Sequence, residues 1–151
     1  MNRVFTPLLL AVVAVLNNAS CAGTVDPGVQ PKLQLKVGQT QLRLEDGGGV
    51  CRATASTGDG AATRYILDVP WPCHFHVDKA GNVRTIQGAS HVYVLVESST
   101  RVKGASSDEC ETFLRSIRIN GKRVDVSPHR DRVASCPPFQ WDALVFKELF
   151  D

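Results

Sequence analysis

Residues 110–136 constrain the fold of this chain more than any other segment. Within it, the pair Asn120-Gly121 separates two runs in which apolar and polar residues alternate, at 117–119 and 124–126. Asn-Gly between alternating runs is a strong hairpin signal, because both central residues of the commonest tight turn need a positive φ. The sequence therefore predicts a β-hairpin whose two central turn residues are Asn120 and Gly121.

The residues just before this hairpin are spaced like one face of a helix. Apolar side chains recur at i, i+3, i+4 and i+7, at Cys110, Phe113, Leu114 and Ile117. Upstream, a serine and a glutamate have the spacing of a capping box, in which two side chains satisfy free amides at a helix start. They are Ser106 and Glu109. We therefore expect a short helix that begins near Cys110.

The N-terminal segment, residues 1–22, has the layout of a secretory signal peptide. A positively charged start containing Arg3 precedes a mainly apolar run over residues 4–16 and a small-residue exit. The apolar run is shorter than the roughly 20 residues that a transmembrane helix needs. We therefore expect an exported protein of the periplasm or cell envelope.

The signal peptide has two plausible cleavage points. Cleavage before Gly23 would release a soluble protein, whereas cleavage before Cys21 would leave a cysteine for lipid attachment. A lipid on Cys21 is the only membrane contact that we expect. Residues 23–31 are small, polar and turn-prone, which is typical of a flexible lead. Residues 32–151 then form a single β-rich domain.

Four cysteines lie in this domain, and their number favours disulfides. They are Cys51, Cys73, Cys110 and Cys136. An even number of cysteines in an exported domain predicts a disulfide framework. We favour bonds from Cys51 to Cys73 and from Cys110 to Cys136, because each closes a local unit. A zinc site or a redox dithiol would usually contain a Cys-x-x-Cys pair, which the sequence lacks.

The body of the chain consists of short strand-like runs separated by turn signals. Apolar and polar residues alternate over 33–37, and residues that suit a pleated surface dominate 65–69 and 92–96. The run at 92–96 is the most hydrophobic, which predicts a central strand buried on both faces. We predict a mainly β fold, a small antiparallel β-sandwich or barrel-like domain with one or two short helices and two disulfides.

The apolar run at residues 139–150 has two alternative secondary structures. Pro138 and Asp142 suit a helix start, and the Ala, Leu, Lys and Glu residues of the run are good helix formers. Its aromatic residues suit a final strand equally well. We expect either a last strand or a single helical turn packed against the core.

The charge of the chain argues against nucleic acid as a partner. The sequence has 17 Lys and Arg residues against 15 Asp and Glu residues, a formal net charge of +2. Nucleic-acid-binding domains usually carry a concentrated basic patch, and the basic residues here are spread along the chain. We therefore expect a protein partner and no nucleic acid.

Two histidines are the strongest candidates for chemistry. His74 and His76 flank Phe75, and alternate residues of a strand point to the same face. Two imidazoles on one face could hold a metal ion with a third ligand from His91 or His129. The interpretation that we favour is that both histidines face solvent while Phe75 is buried. No metal or other cofactor is therefore expected.

Two further catalytic patterns carry less weight. No Gly-x-Ser-x-Gly turn for a serine nucleophile occurs in the sequence. Asp78 and Glu97 could form a carboxylate pair for glycoside hydrolysis. Solvated surface charge is the commoner role of such residues, and we expect it here.

The leading functional hypothesis is a cell-envelope module that binds another protein, as an inhibitor or immunity protein does. Export and disulfide rigidity suit a preorganised binding surface. Trp71, which lies between two prolines, is the candidate binding residue, and its burial in the core is the alternative. Two other hypotheses are a metal-dependent envelope enzyme that uses His74 and His76, and a structural envelope component with no discrete ligand.

Overall fold

The computed structural model describes residues 31–102 and 109–151, which form a sandwich of two antiparallel β-sheets. The first sheet has the strand order β1 (Gln34–Val37), β2 (Thr40–Asp46), β3 (Val50–Thr57) and β4 (Ala62–Pro70). The second has the order β5 (His74–Phe75), β7 (Val92–Arg101), β8 (Cys110–Asn120) and β9 (Arg123–Val133), and β6 (Thr85–Gln87) also pairs with β7. The predicted mainly β fold is confirmed.

Several predictions fall outside the described residues. These are the signal peptide at residues 1–22, the lipid-attachment candidate Cys21, the flexible lead apart from its last residue, and Ser106 of the capping box.

Apolar side chains from both sheets meet in one layer, which we call the inner core. The first sheet contributes Leu42, Leu44, Ala53, Ala55, Leu67 and Val69, and the second contributes Phe75, Val94, Val96, Ile117, Ile119 and Val124. The central position predicted for residues 92–96 is confirmed, because β7 lies between β8 and the short strands β5 and β6. Alternation along each strand places these side chains on the facing surfaces of the two sheets.

Both expected disulfides are present. Cys51 of β3 bonds Cys73, which directly precedes β5, so this bond links the two sheets. Cys110 at the start of β8 bonds Cys136, which follows β9. Structural disulfides of this kind indicate an oxidising compartment outside the cytoplasm.

The helix expected from Cys110 is wrong, since Cys110–Asn120 is strand β8. Phe113 and Ile117 face the inner core, whereas Leu114 packs into a second apolar layer on the other face of the sheet. A strand buried on both faces can carry apolar residues at helical spacing by coincidence, because each face contributes its own alternating set.

The hairpin between β8 and β9 is present, but its turn lies one residue further along the chain than expected. Asn120 pairs with Arg123, so the central turn residues are Gly121 and Lys122. Of the residues around this turn only Gly121 has a positive φ, of 58°. Some two-residue turns need a positive φ at the first central position alone, and glycine is favoured there. The expected cross-strand partners are confirmed: Ile117 faces Val126, and Ile119 faces Val124.

The C-terminal segment, residues 134–151, covers the outward face of the second sheet. Its short helix α1 (Val145–Glu148) resolves the open choice between strand and helical turn in favour of the turn. A second buried layer, the outer core, lies beneath it and consists of Leu95, Leu114, Trp141, Phe146 and Leu149. Within the described part of the chain, no helix has the length and apolar character that crossing a membrane requires.

Candidate functional site

A buried carboxylate lies in the outer core, surrounded by hydrogen-bond donors. Glu97 of β7 is only 6% exposed. Its Oε1 atom lies 3.2 Å from Nδ1 of His76 and 3.7 Å from Nδ1 of His74. Its Oε2 atom accepts a hydrogen bond of 2.8 Å from the indole Nε1–H of Trp141. We call these four residues the Glu97 cluster.

The strand register brings the Glu97 cluster together. His74 of β5 lies directly opposite Glu97 of β7, so both side chains share the outward face of the sheet. The chain continues along β7 beyond β5, where the amide of His76 donates to the carbonyl of Leu95. Both imidazoles therefore approach the carboxylate from the same neighbouring segment, and Trp141 reaches it from the C-terminal segment above.

The cluster favours the ionised form of Glu97. Burial by itself raises the pKa of this carboxyl, because a charge is poorly solvated there. Hydrogen bonds from His76 and Trp141, together with positive charge on His74 and His76, outweigh burial and hold the pKa of Glu97 below its ordinary value. The carboxylate thus remains charged and acts as a fixed acceptor for its neighbours.

The expectation that both histidines face solvent is wrong. His76 is 1% exposed and His74 is half-buried, whereas Phe75 is buried as predicted. The C-terminal segment covers this face, and the His76 ring packs edge-on against Phe146 at a centroid distance of 6.0 Å. Glu97 is not a solvated surface charge either, for the same reason.

The histidines do not assemble into a metal-binding group. Across residues 31–102 and 109–151, no group of three or more His, Cys, Asp or Glu side chains could hold a metal ion. The ring of one candidate third ligand makes another contact: His91 lies 2.9 Å from the Ser90 hydroxyl. The nearby imidazoles instead face the Glu97 carboxylate.

An open cleft lies beside the Glu97 cluster, where the C-terminal segment crosses the loop after β5. Its volume is about 560 Å³. We call it the C-terminal cleft; its lining residues are Asp78, Lys79, Ala80, Arg84, Gln140, Trp141 and Asp142. Cationic, anionic, amide and aromatic groups all reach it. Glu97 does not line the cleft itself, and it contacts the wall through the indole N–H of Trp141.

Hydrogen bonds on both sides fix the wall of the cleft. The Arg84 guanidinium donates to the Trp141 carbonyl, and the Gln140 amide donates to the Val77 carbonyl at 3.2 Å. Arg84 also lies over the Phe146 ring, with its guanidinium carbon 5.5 Å from the ring centroid. The segment that forms the wall is therefore held by its side chains and its backbone together.

Two large apolar side chains of the same C-terminal segment face solvent. Phe139 is 46% exposed and Leu144 is 59% exposed. The Phe139 ring packs on Trp141 with centroids 4.5 Å apart and an interplanar angle of 50°. Because the Glu97 cluster fixes Trp141, it also fixes the surface on which Phe139 rests.

Trp71, the candidate binding residue from the sequence, has a different environment. It is half-buried and packs against the inner core, and its amide donates to the Gly49 carbonyl. This packing supports the alternative in which Trp71 fills the core.

No pattern in the sequence marked Trp141, Arg84 or Phe139 as site residues. One signal was present for Glu97: an acidic residue directly follows the most hydrophobic run of the domain, where a buried partner is needed. No sequence pattern distinguished Arg84, because its hydrogen bond to the Trp141 carbonyl forms only when the C-terminal segment folds back over the sheet.

Comparisons with protein-family models, curated proteins and solved structures find no match to this chain.

Proposed function

We propose that this protein is an exported binding module of the cell envelope and that it contacts another protein through the C-terminal cleft. One observation carries the proposal: Phe139 is half-exposed, yet it packs on a tryptophan that a buried carboxylate holds in place. An aromatic residue that is already ordered loses little entropy on binding, which is why such residues dominate many interfaces.

Apolar and polar groups are distributed around Phe139 as they are in protein interfaces. The Phe139 ring packs on the Trp141 wall of the cleft, whose other lining residues, Asp78 and Lys79 among them, supply charged and amide groups. Protein interfaces commonly combine an apolar centre with a polar rim. Two carboxylates, from Asp78 and Asp142, and two cations, from Lys79 and Arg84, line the cleft, which suits a polar partner surface better than a single anion or cation.

The expected partner is another protein of the envelope, and an inhibitor or immunity protein is the specific form that we favour. Periplasmic or envelope location supplies the oxidising conditions that the two disulfides need. A lipid on Cys21 would tether the module to a membrane without altering the binding surface.

Site-specific photocrosslinking tests the proposal. A photoreactive phenylalanine analogue replaces Phe139 in one exported variant and Ile66, which is 67% exposed on the first sheet, in a matched control. We expect position 139 alone to crosslink one protein species, and excess unlabelled wild-type protein to compete for it. Equal crosslinking from both positions, or a product that wild-type protein cannot displace, would contradict the proposal.

The two other hypotheses make different predictions for the same material. A metal-dependent enzyme would carry a stoichiometric metal ion that is lost in a His74→Ala, His76→Ala double variant, and elemental analysis of the purified protein measures it. A structural envelope component would give no displaceable crosslink from position 139.

A further inference from the structure

Two arginines lie directly opposite each other in the hairpin of the second sheet. Arg115 of β8 pairs in register with Arg130 of β9. Side chains of directly opposed residues lie on the same face with Cβ atoms about 4.5–5.5 Å apart, and like charges in this position destabilise a sheet. Arg115 alternates with Phe113 and Ile117, so this face points toward the inner core. The arrangement needs a compensating anion.

Within the described part of the chain, the only carboxylate whose charge acts on Arg115 is Asp68, and Arg130 already pairs with it. The Nε atom of Arg115 is buried and has no hydrogen-bond partner. No ion pair or hydrogen bond involves its guanidinium within the described residues. Burial lowers the pKa of Arg115; the charge of Asp68 opposes this shift, and that of Arg130 adds to it. The guanidinium therefore lies half-buried beside a second cation, with donor groups unused.

The neighbours of Arg115 already use their own countercharges. Arg130 donates to the Asp68 carbonyl at 2.9 Å and lies 3.5 Å from the Asp68 carboxylate. Arg132 forms an ion pair with Glu111. Both Arg130 and Arg132 lie over the Phe113 ring, which holds them in place. Three guanidiniums thus face two carboxylates, and one positive charge is left over.

We propose that Arg115 and Arg130 form a binding site for a carboxylate group supplied by a partner protein. A guanidinium offers two parallel donors that match the two oxygens of a carboxylate. The single surplus positive charge matches a monoanion. A phosphate group carries about 1.5 to 2 negative charges, more than the one surplus positive charge, and Asp68 and Glu111 would repel it more strongly than a carboxylate, which makes it the poorer ligand.

This site is separate from the C-terminal cleft. Arg115 lies on the inward face of the second sheet, whereas the cleft and the Glu97 cluster lie on its outward face. The carboxylate site would therefore remain if the proposal for the cleft failed.

Replacement of chloride by acetate at constant ionic strength near pH 7 tests the site, with arginine side-chain NMR and thermal melting as readouts. We expect the Arg115 Nε–H resonance to shift saturably, and Tm to rise by about 4 °C at roughly ten times the dissociation constant. Arg115→Gln and Arg130→Gln should abolish both effects. Arg64→Gln, at an arginine whose side chain is 78% exposed on the first sheet, should retain them.

The melting temperature of Arg115→Gln in chloride shows whether Arg115 serves a ligand site or stabilises the fold. Because Arg115→Gln removes a half-buried charge that lies beside Arg130 and makes no ion pair within the described residues, it should melt at or above the wild-type temperature in chloride. A variant that melts several degrees lower, an acetate effect that persists in Arg115→Gln, or phosphate binding tighter than acetate would each overturn the proposal.

Two capped tripeptides then identify the source of the carboxylate. One carries a glutamate side chain and an amidated C-terminus, and the other carries only a free C-terminal carboxylate. Saturable binding of either peptide that is lost in Arg115→Gln supports the site and names its source. Binding of neither would overturn it.

Discussion

The two faces of the second sheet are both buried, but in different ways. The inner core between the sheets consists of aliphatic side chains, Phe75 and one disulfide. The outer core combines apolar residues with buried polar side chains: Glu97, His76, Thr112 and Ser116. One sheet thus separates an apolar layer from a layer organised by hydrogen bonds.

This difference indicates a division of roles. Apolar burial is strong but non-directional, so the inner core stabilises the sandwich through close packing and not through bonds to particular atoms. The outer core holds the C-terminal segment by directed bonds: the Ser116 hydroxyl donates to the Phe146 carbonyl at 2.6 Å, and the Thr112 hydroxyl donates to the Ser135 carbonyl at 2.5 Å. The outer core thereby positions the residues of the proposed binding surface.

The largest effect on stability should come from the inner core. Leu67 is fully buried there, and Leu67→Ala should lower the free energy of unfolding by about 2–5 kcal/mol, because it leaves a cavity between the sheets. Urea denaturation measures the loss. Leu144→Ala, at an exposed leucine of the C-terminal segment, is the control and should change stability by less than about 0.5 kcal/mol. Equal losses in both variants would contradict the assigned role of the inner core.

A smaller loss should follow from breaking the outer core. Glu97→Leu keeps most of the side-chain volume but leaves the Trp141 indole N–H and the His76 ring without their acceptor, which should cost about 1–3 kcal/mol. The near-ultraviolet circular dichroism of the tryptophan should weaken while the far-ultraviolet spectrum is retained. Glu148→Leu, at an exposed position of α1, is the control. Unchanged near-ultraviolet dichroism in Glu97→Leu would show that the carboxylate does not position Trp141.

A substitution in the hairpin turn shows how much stability is lost when neither the inner core nor the outer core is changed. Gly121→Val places a β-branched residue at a φ of 58° and should cost roughly 1–2 kcal/mol, with both disulfides still formed. Gly58→Val is the matched control, because an added Cβ meets nothing within 4 Å at either glycine and only Gly121 has a positive φ. A Gly121→Val variant as stable as Gly58→Val would show that the turn was wrongly assigned.

The smallest effect concerns the pH dependence of stability. The pKa of Glu97 is lowered in the folded state, so its contribution is present above its ordinary value of 4.5 and is lost as the pH falls through the folded value. Wild-type protein should therefore lose stability more steeply than Glu97→Gln below about pH 4.5. Parallel stability curves for the two proteins in acid would contradict this assignment.

Much of the fold was predictable from local patterns. The alternation of apolar and polar residues, together with the turn residues, predicted the strands and the sandwich. Pairing each cysteine with its neighbour along the chain predicted both disulfides. The error at Cys110 has a physical cause: a strand buried on both faces loses the simple period of two, and the covering segment that buries its second face is remote in sequence. The turn at Gly121 was misplaced because a glycine suits more than one turn type.

The candidate site was much less predictable. The spacing of His74 and His76 correctly suggested a shared face, but what covers that face depends on where the C-terminal segment returns. Trp141 becomes a site residue only because Glu97, which is remote from it in the chain, lies beneath it. Contacts of this kind arise from tertiary packing, which no local pattern encodes.

Hydrogen exchange of the two tryptophan indole N–H groups, followed by NMR, tests the central claim most directly. Trp141 donates its indole N–H to buried Glu97, whereas the structure gives the Trp71 indole no such acceptor within the described residues. We expect the Trp141 indole N–H to exchange on the order of 100-fold more slowly than that of Trp71, and this protection to disappear in Glu97→Leu. Equal exchange rates for the two indoles, or protection that survives the substitution, would contradict the account.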